Sequence, residues 1–408
     1  MSNAHVVIGA NYGDEGKGLI SDYLVHKHKA DMVVRFNGGA QAGHTVVTPD
    51  GKRHVFKHFG SGTFEGVRTF LSRHFVANPM IFLKELAVLE SMGVHPPKVM
   101  IDPRAYVSTP YDMIVNEIRE KYLKHGSCGL GVTDTVDRHQ VIIYGKPMFA
   151  LNAHYVHRSA IDNNENLYYK LQLIRQEWVP IRLKELNIPY TQDIRTRVMD
   201  DNLMWKFLDD LITFGKTVGI MDTRSLRQHD SLVFEGGQGL GLDKVQGTIP
   251  HVTKSFTGMT NVVDICKEAN IKNVNIYYVT RAYLTRHGAG PMESELKKKP
   301  YKGISEMTNV TNEFQGKFRY GNLNIRKIRD RIRTDLQGCV DDLDVIVKLA
   351  VTCIDHVDGT GRFINNDLIL KKVDRDDMAV AIAREAGFMW VLESRGPTRN
   401  DVKEILTL

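Results

Sequence analysis

The sequence predicts an α/β protein with a central, mostly parallel β-sheet, flanking helices and a helical insertion. Three observations predict it. Short β-branched and apolar runs alternate with helix-like segments along most of the chain, as strands joined by crossover helices do. Several of these runs end in glycine-rich turns, where α/β sheets place their ligands. No internal repeat or low-complexity linker divides the 408 residues, so residues 1–408 read as one elaborated domain.

Residues 5–8 form the first strand, followed by a glycine-rich turn and a helix from about 17 to 25. Residues 31–36 are β-branched enough for a second strand, and another glycine-rich segment follows. Apolar spacing predicts a helix over 79–92, and 98–102 reads as a strand. Residues 167–219 are mostly amphipathic helix, broken near Pro189, within a mainly helical insertion around 151–225. Strands return at 231–234, 273–279 and 344–352, and a last strand–helix pair is expected at 389–392 and 401–408. Ile325, Ile328 and Ile332 line one face of a helix whose other face carries Arg326, Lys327, Arg329 and Arg333. Its charges belong in water, as does the lysine run 297–299.

Composition excludes more than it selects. Hydrophobic residues at 42% and charged residues at 25% argue against disorder. No apolar run approaches the roughly 18 residues of a spanning helix, so no membrane partner is expected. Basic less acidic residues, 54 − 48, leave a net charge of +6, which suits nucleic acid or small polyanions equally. Cys128, Cys266, Cys339 and Cys353 are far apart with no CxxC pair, arguing against a zinc site or disulfide framework and for inert thiols. The N-terminus enters a strand at once, without a signal-peptide pattern, so a reducing cytoplasm is expected.

The strongest local signal is GANYGDEGKG, residues 9–18, between the first strand and the first helix. Glycines let amides approach a phosphate, the helix N-terminus adds partial positive charge, and Lys17 adds a full one. It is not a standard P-loop: Asn11 stands where GxxxxGK[ST] has its first glycine, and Gly18 replaces the magnesium-binding hydroxyl. Asp14 is a carboxylate inside an anion loop, repulsive unless it binds metal or moves a proton. A second signal, GGAQAGHT at 38–45, presents His44 after another strand, where its ring could meet Asp14. FEGGQG at 234–239 and TRHGAGP at 285–291, after Thr280-Arg281, repeat the logic of a strand ending in glycines.

Together GDEGKG, AGHT, FEGGQG, GTIPHVT and TRHGAGPMESEL resemble, in order and approximate spacing, the adenylosuccinate synthetases, from Val6 to about Arg399. The resemblance implies a P-loop-like phosphate site, a homodimer, a cytoplasmic location (the host's if phage-encoded) and a ligase joining L-aspartate to C6 of a purine nucleoside monophosphate. It implies Mg2+ and a nucleoside triphosphate, GTP or ATP, as co-substrate. It makes Asp14 the base and, with the Gly43 carbonyl, a metal ligand; His44 the general acid; Lys17 the phosphate-loop lysine; and Gln238 the contact to the purine 6-position. Nucleotide contacts are implied at Gly13, Glu15, Gly16, Gly18, Gln41, Thr253 and Arg286, and in the second phosphate loop at Ser127, Cys128 and Gly129. Arg138 matches an arginine lent across the dimer, and Asp355, Ser394, Gly396 and Pro397 match the clamp on the triphosphate's base.

Two departures matter. Typical members carry TTGRRRRTGWLD, whereas residues 308–323 read TNVTNEFQGKFRYGNL. This segment resembles the phage branch, which makes N6-succino-2-amino-2'-deoxyadenylate from dGMP, and points to Thr308 and Thr311 for the amino acid with Lys317 or Arg319 supplying charge. That branch has Ser in place of the catalytic Asp, whereas Asp14 is present. The guanine-reading TKxD appears as Thr352-Cys353-Ile354-Asp355, leaving GTP and ATP both open. The preferred acceptor is dGMP, with IMP as alternative. A nucleic-acid-binding protein is the rival from another class. It would cluster basic and aromatic residues on one surface, while here the glycines sit in strand-end loops, so no nucleic-acid partner is expected.

Overall fold

The computed structural model describes residues 2–123, 126–127, 129–162, 165–306, 308, 316–338 and 340–407. Among them ten strands form one sheet. Their spatial order is Val402–Leu406, Trp390–Ser394, Asp344–Thr352, Asn273–Arg281, Asn3–Gly9, Ser231–Glu235, Met32–Arg35, Arg68–Leu71, Met100–Ile101 and Gly219–Ile220. Neighbours run parallel except Val402–Leu406, which lies antiparallel to Trp390–Ser394.

Both faces of the sheet are covered, so its central strands are continuous apolar runs. Alternate residues go to opposite sides. Val6, Val34, Phe234 and Ile276 join a core with the helices Met259–Ala269, Ile325–Leu336 and Met378–Ala386. Val7, Val33, Val233 and Tyr277 join a second core with Ile20, Leu24 and Val25 of helix α1, Lys17–His28. In Ile325–Leu336 the three isoleucines are buried and Arg326, Lys327, Arg329 and Arg333 are exposed, as the spacing predicted.

The helical part has its own core of Phe82, Tyr111, Val115, Trp178, Leu183 and Phe214. The helices Pro110–Leu123 and Val132–Gln140 precede residues 151–225, and Tyr111, Ile114, Val115 and Ile118 of the former pack into this core. The predicted break near Pro189 falls between Val179–Glu185 and Gln192–Val198, and Asp201–Thr217 returns the chain to the sheet edge at Gly219–Ile220. No helix among the described residues is long and apolar enough to cross a membrane.

The C-terminal expectation is corrected. Residues 402–406 form an edge strand rather than a helix, with Leu392 opposite Glu404. Val402 and Ile405 have helical spacing, but a five-residue run is too short to stabilise a helix alone. Pairing with the sheet edge satisfies its backbone instead. Glu404 also accepts from Lys348 Nζ at 2.6 Å and pairs with Lys27. The helix of this region is Met378–Ala386, which sequence reasoning missed.

Candidate functional site

The parallel strands aim their carboxyl ends at one side of the sheet, and the glycine loops meet there. Asn3–Gly9 runs into residues 10–16 and then α1. Gly16 caps α1 at φ +89°, and a Cβ there would stand 2.9 Å from Thr352 Cγ2. Thr352 Oγ1 donates to Glu15 O at 2.8 Å. A Cβ on Gly18 would stand 2.6 Å from Thr45 O. The phosphate loop is thus pressed between a strand end and the hairpin of His44–Val47 with Arg53–Phe56. Asn11, the residue that breaks the P-loop pattern, is a strut. Its amide NH2 donates to Thr280 Oγ1 at 3.0 Å, its Oδ1 accepts from Arg331 at 2.8 Å, and its backbone N–H donates to Glu15 at 2.8 Å.

These elements enclose a cavity of about 1170 Å³, above the upper end of the usual single-ligand range of roughly 300–1,000 Å³. Gly13, Asp14, Glu15, Gly16, Lys17 and Gly18 line it, as do Gln41, Gly43, His44, Gln238, Thr253, Arg286 and Thr308. Ser127 lies on the wall, with Asp355, Ser394, Gly396 and Pro397. Cys128 and Thr311, expected contacts, fall outside the described residues, as does Cys339.

Burial sets the electrostatics. It pushes the Lys17 ammonium down, opposed by Glu15, Asp14 and Glu235. It pushes Asp14 up against Arg281 and Lys17, and lifts Glu15 to about 7. Arg281 donates to Asp14 O and, at 3.0 Å, to Glu306. An entering phosphate restores what burial takes from Lys17, because the desolvated ammonium gains a counter-charge.

His44 meets Glu235 rather than Asp14. Its Nδ1 lies 3.1 Å from Glu235 Oε1, an ion-pair contact rather than an aligned hydrogen bond, and both buried ring nitrogens lack a hydrogen-bond partner among the described residues. Burial raises the Glu235 carboxyl, but His44, Arg35 and Ser61 outweigh it and hold the group at about 2. Glu235 is therefore an anion that orients the ring. Sequence reasoning saw it only as a letter of the FEGGQG motif, and no local signal marks its pairing with His44.

Other expectations are corrected. Arg138 is fully buried inside its own chain. It donates to Asp112 at 2.9 and 3.0 Å and to the carbonyls of Phe149 and Val107, and it packs on Trp178. That guanidinium is held by its own chain rather than by the cavity wall. Arg319 binds Glu295 and the carbonyls of Gly288 and Gly290, the latter at 2.8 Å, and is absent from the cavity wall, as is the exposed Lys317. Arg286 reaches the wall, but its guanidinium donates to Ala289 O at 3.1 Å and Pro291 O at 2.6 Å, so it shapes the HGAGP turn. Gly129 is also off the wall; its amide donates to Ser127 Oγ at 3.4 Å. The expectation of inert thiols holds for Cys266, which burial pushes up to about 12. Cys353 differs in lying on the cavity wall, where Arg281 and His356 outweigh burial and lower the thiol.

A parallel sheet whose strand ends carry a buried lysine in a glycine loop, an anion-oriented histidine and room for several ligands defines an α/β nucleotide-binding enzyme. A model of the adenylosuccinate synthetase family matches residues 6–359, and the chain belongs to that family of carbon–nitrogen ligases. It is 30% identical over 310 residues to the adenylosuccinate synthetase of Clostridium botulinum strain Hall, covering 72% of this chain and 66%, about two thirds, of that relative's length. It is 30% identical over 370 residues to the Fusobacterium nucleatum enzyme, covering 88% and 79%. The fully ligated Plasmodium falciparum adenylosuccinate synthetase shares the fold at a TM-score of 0.71 and 19% identity, covering 98% and 99% of the two chains. The cyanophage S-2L succinoaminodeoxyadenylate synthetase, bound to dGMP and to dATP as an energy donor, shares it at 0.63 and 16%, covering 99% and 95%.

Proposed function

We propose that this chain joins L-aspartate to C6 of a purine nucleoside monophosphate through a 6-phosphoryl intermediate, with dGMP the preferred acceptor and a nucleoside triphosphate the phosphoryl donor. The observation that carries the reading is the junction of the Lys17 loop, Asp14, His44 and Gln238 on one cavity wall, with buried Glu235 behind His44.

A purine 6-oxo group is a poor leaving group, so it is phosphorylated first. Asp14 takes the N1 proton as O6 attacks the γ-phosphorus and the bond to the β-phosphate oxygen breaks. Burial suits Asp14 to this, because a carboxylate lifted toward neutrality is the stronger base. Lys17 and the loop amides stabilise charge on the transferring phosphoryl. With the Glu235 anion 3.1 Å from Nδ1, the ring takes a proton from solvent at Nε2 as phosphoryl oxygens arrive and donates that hydrogen bond to them. In the second step the aspartate amine attacks C6, the C6–O bond breaks and phosphate leaves.

Magnesium fits the donor set. Asp14 and the Gly43 carbonyl offer hard oxygen ligands on the wall that Lys17 also lines. That suits a cation that keeps waters and binds through one or two carboxylates plus phosphates. When bound it would neutralise phosphate charge.

The loss of arginines between residues 308 and 316 and the phage neighbour bound to dGMP support dGMP as acceptor. IMP with GTP is the second reading, favoured by Asp14 and by the curated relatives at about 30% identity, which bear the name adenylosuccinate synthetase. A homodimer accompanies either reading. The test offers IMP, dGMP or GMP with aspartate and either ATP or GTP, followed by mass spectrometry. We expect dGMP to gain aspartate with loss of water. Gain by IMP alone selects the second reading, and gain by no acceptor sinks both.

A further inference from the structure

A dicarboxylic amino acid needs a cation, and the expected ones are elsewhere. Residues 303–316 contain no lysine or arginine. Arg319 is closed on Glu295, and Lys317 does not line the cavity. Yet Thr308, the one described threonine of this segment, does line it.

The cations of the cavity wall can be sorted by what already holds them. Lys17 belongs to the phosphate loop. Arg281 pairs with Glu306, Arg119 with Asp134, and both Arg182 and Lys254 with Asp137. Arg286 is taken by backbone carbonyls, and Lys244 sits 3.6 Å over the Phe256 ring. Arg53 and Lys57 remain, with no carboxylate partner among the described residues. Arg53 donates through a terminal guanidinium nitrogen to Thr308 Oγ1 at 2.7 Å. Thr45 Oγ1, on the paired strand, lies 3.4 Å from the same hydroxyl. The hairpin that sets His44 in the cavity therefore also delivers a guanidinium to the threonine expected to meet the amino acid.

Resting on the proposed aspartate ligation, we infer that Arg53 is the residue that recognises a carboxylate of the incoming amino acid, with Thr308 beside it and Lys57 on the same hairpin face adding charge. The remaining guanidinium N–H groups suit a bidentate carboxylate, a geometry that an ammonium does not reproduce.

The test uses the full chain and its Arg53→Gln and Arg53→Lys variants, with the acceptor and donor that the wild type uses. A charge-assisted hydrogen bond is worth about 1.5–3 kcal/mol, so the aspartate KM of Arg53→Gln should rise roughly 10- to 100-fold. The KM values of both nucleotides should stay within about twofold. Arg53→Lys should recover part of the loss, and the preference for aspartate over asparagine should shrink in Arg53→Gln. An unchanged aspartate KM overturns the inference. So does a parallel rise in every KM with a lowered melting temperature, which marks a merely structural arginine. If the wild type itself attaches aspartate to no acceptor, the underlying ligase reading fails as well, and that result is distinguishable because it appears before any substitution.

Discussion

The phosphate end of the cavity and its amino-acid end are built in opposite ways. At the phosphate end Lys17 is 4% exposed, and its neighbours Asp14, Glu15, His44 and Glu235 have shifted titration. At the amino-acid end Arg53 is exposed and reaches Thr308 from a hairpin. The difference teaches where variation is tolerated. A desolvated cluster fixes charge states through mutual contacts, and losing one member leaves others unpaired. An exposed cation is replaceable from any nearby strand, which is how the segment after Glu306 can lack arginines while a guanidinium still meets Thr308.

The largest expected effect tests the phosphate end. Asp14→Asn removes the proton acceptor while keeping size, and kcat should fall roughly 10²- to 10⁴-fold with a small change in nucleotide KM. A loss below tenfold in single-turnover assays would show that another group takes the N1 proton.

Next comes Glu235→Gln, which keeps the shape facing His44 but removes the anion. We expect a kcat loss of roughly 10²-fold with substrate KM little changed. Glu235 also has a pH signature. Its folded value is depressed from 4.5 to about 2, so its stabilisation is present above about pH 4.5 and is lost as pH falls toward 2. Acid unfolding of the variant should be flatter in that window; equal slopes would remove Glu235 as a charged anchor.

Both ends differ as well in how much of them could be read from sequence. The glycine loop was legible because Gly13, Asp14, Gly16 and Lys17 are nearly consecutive and one turn between strand and helix fixes them together. The strands were legible for the same reason: β-branched runs such as 344–352 declare themselves locally. Pairings across long sequence separations were not. Glu235 finds His44 only once the separate hairpin carrying His44 folds against the end of the strand Ser231–Glu235, and Arg138 looks available until Asp112 and two carbonyls surround it. The strand Val402–Leu406 was misread because five residues carry too little periodicity, and sheet-edge pairing decided the outcome.

A smaller effect is expected where the loop touches the sheet. At Gly16, φ is +89° and an added Cβ would meet Thr352. Gly16→Ala should cost about 1–2 kcal/mol from the left-handed conformation alone. The distortion should also raise the Kd of the triphosphate roughly tenfold by isothermal titration. Unchanged affinity would mean that the loop amides do not hold the phosphates.

The smallest effect sharpens the amino-acid end. Arg319 and Arg53 are the two arginines that the sequence around Thr308 and the structure, respectively, offer to a carboxylate. Arg319 already has one, Glu295, with side-chain exposures of 24% and 41% for the pair. Such a partly exposed pair is worth about 0–1 kcal/mol. Arg319→Ala should therefore lower the melting temperature slightly and leave the aspartate KM within about twofold of the wild type. The double variant with Arg53→Gln should show the aspartate KM of Arg53→Gln alone, because side chains with different partners act independently. If Arg319→Ala instead raises that KM as much as Arg53→Gln does, the Glu295 pair must open when the amino acid arrives, and the two arginines share the carboxylates.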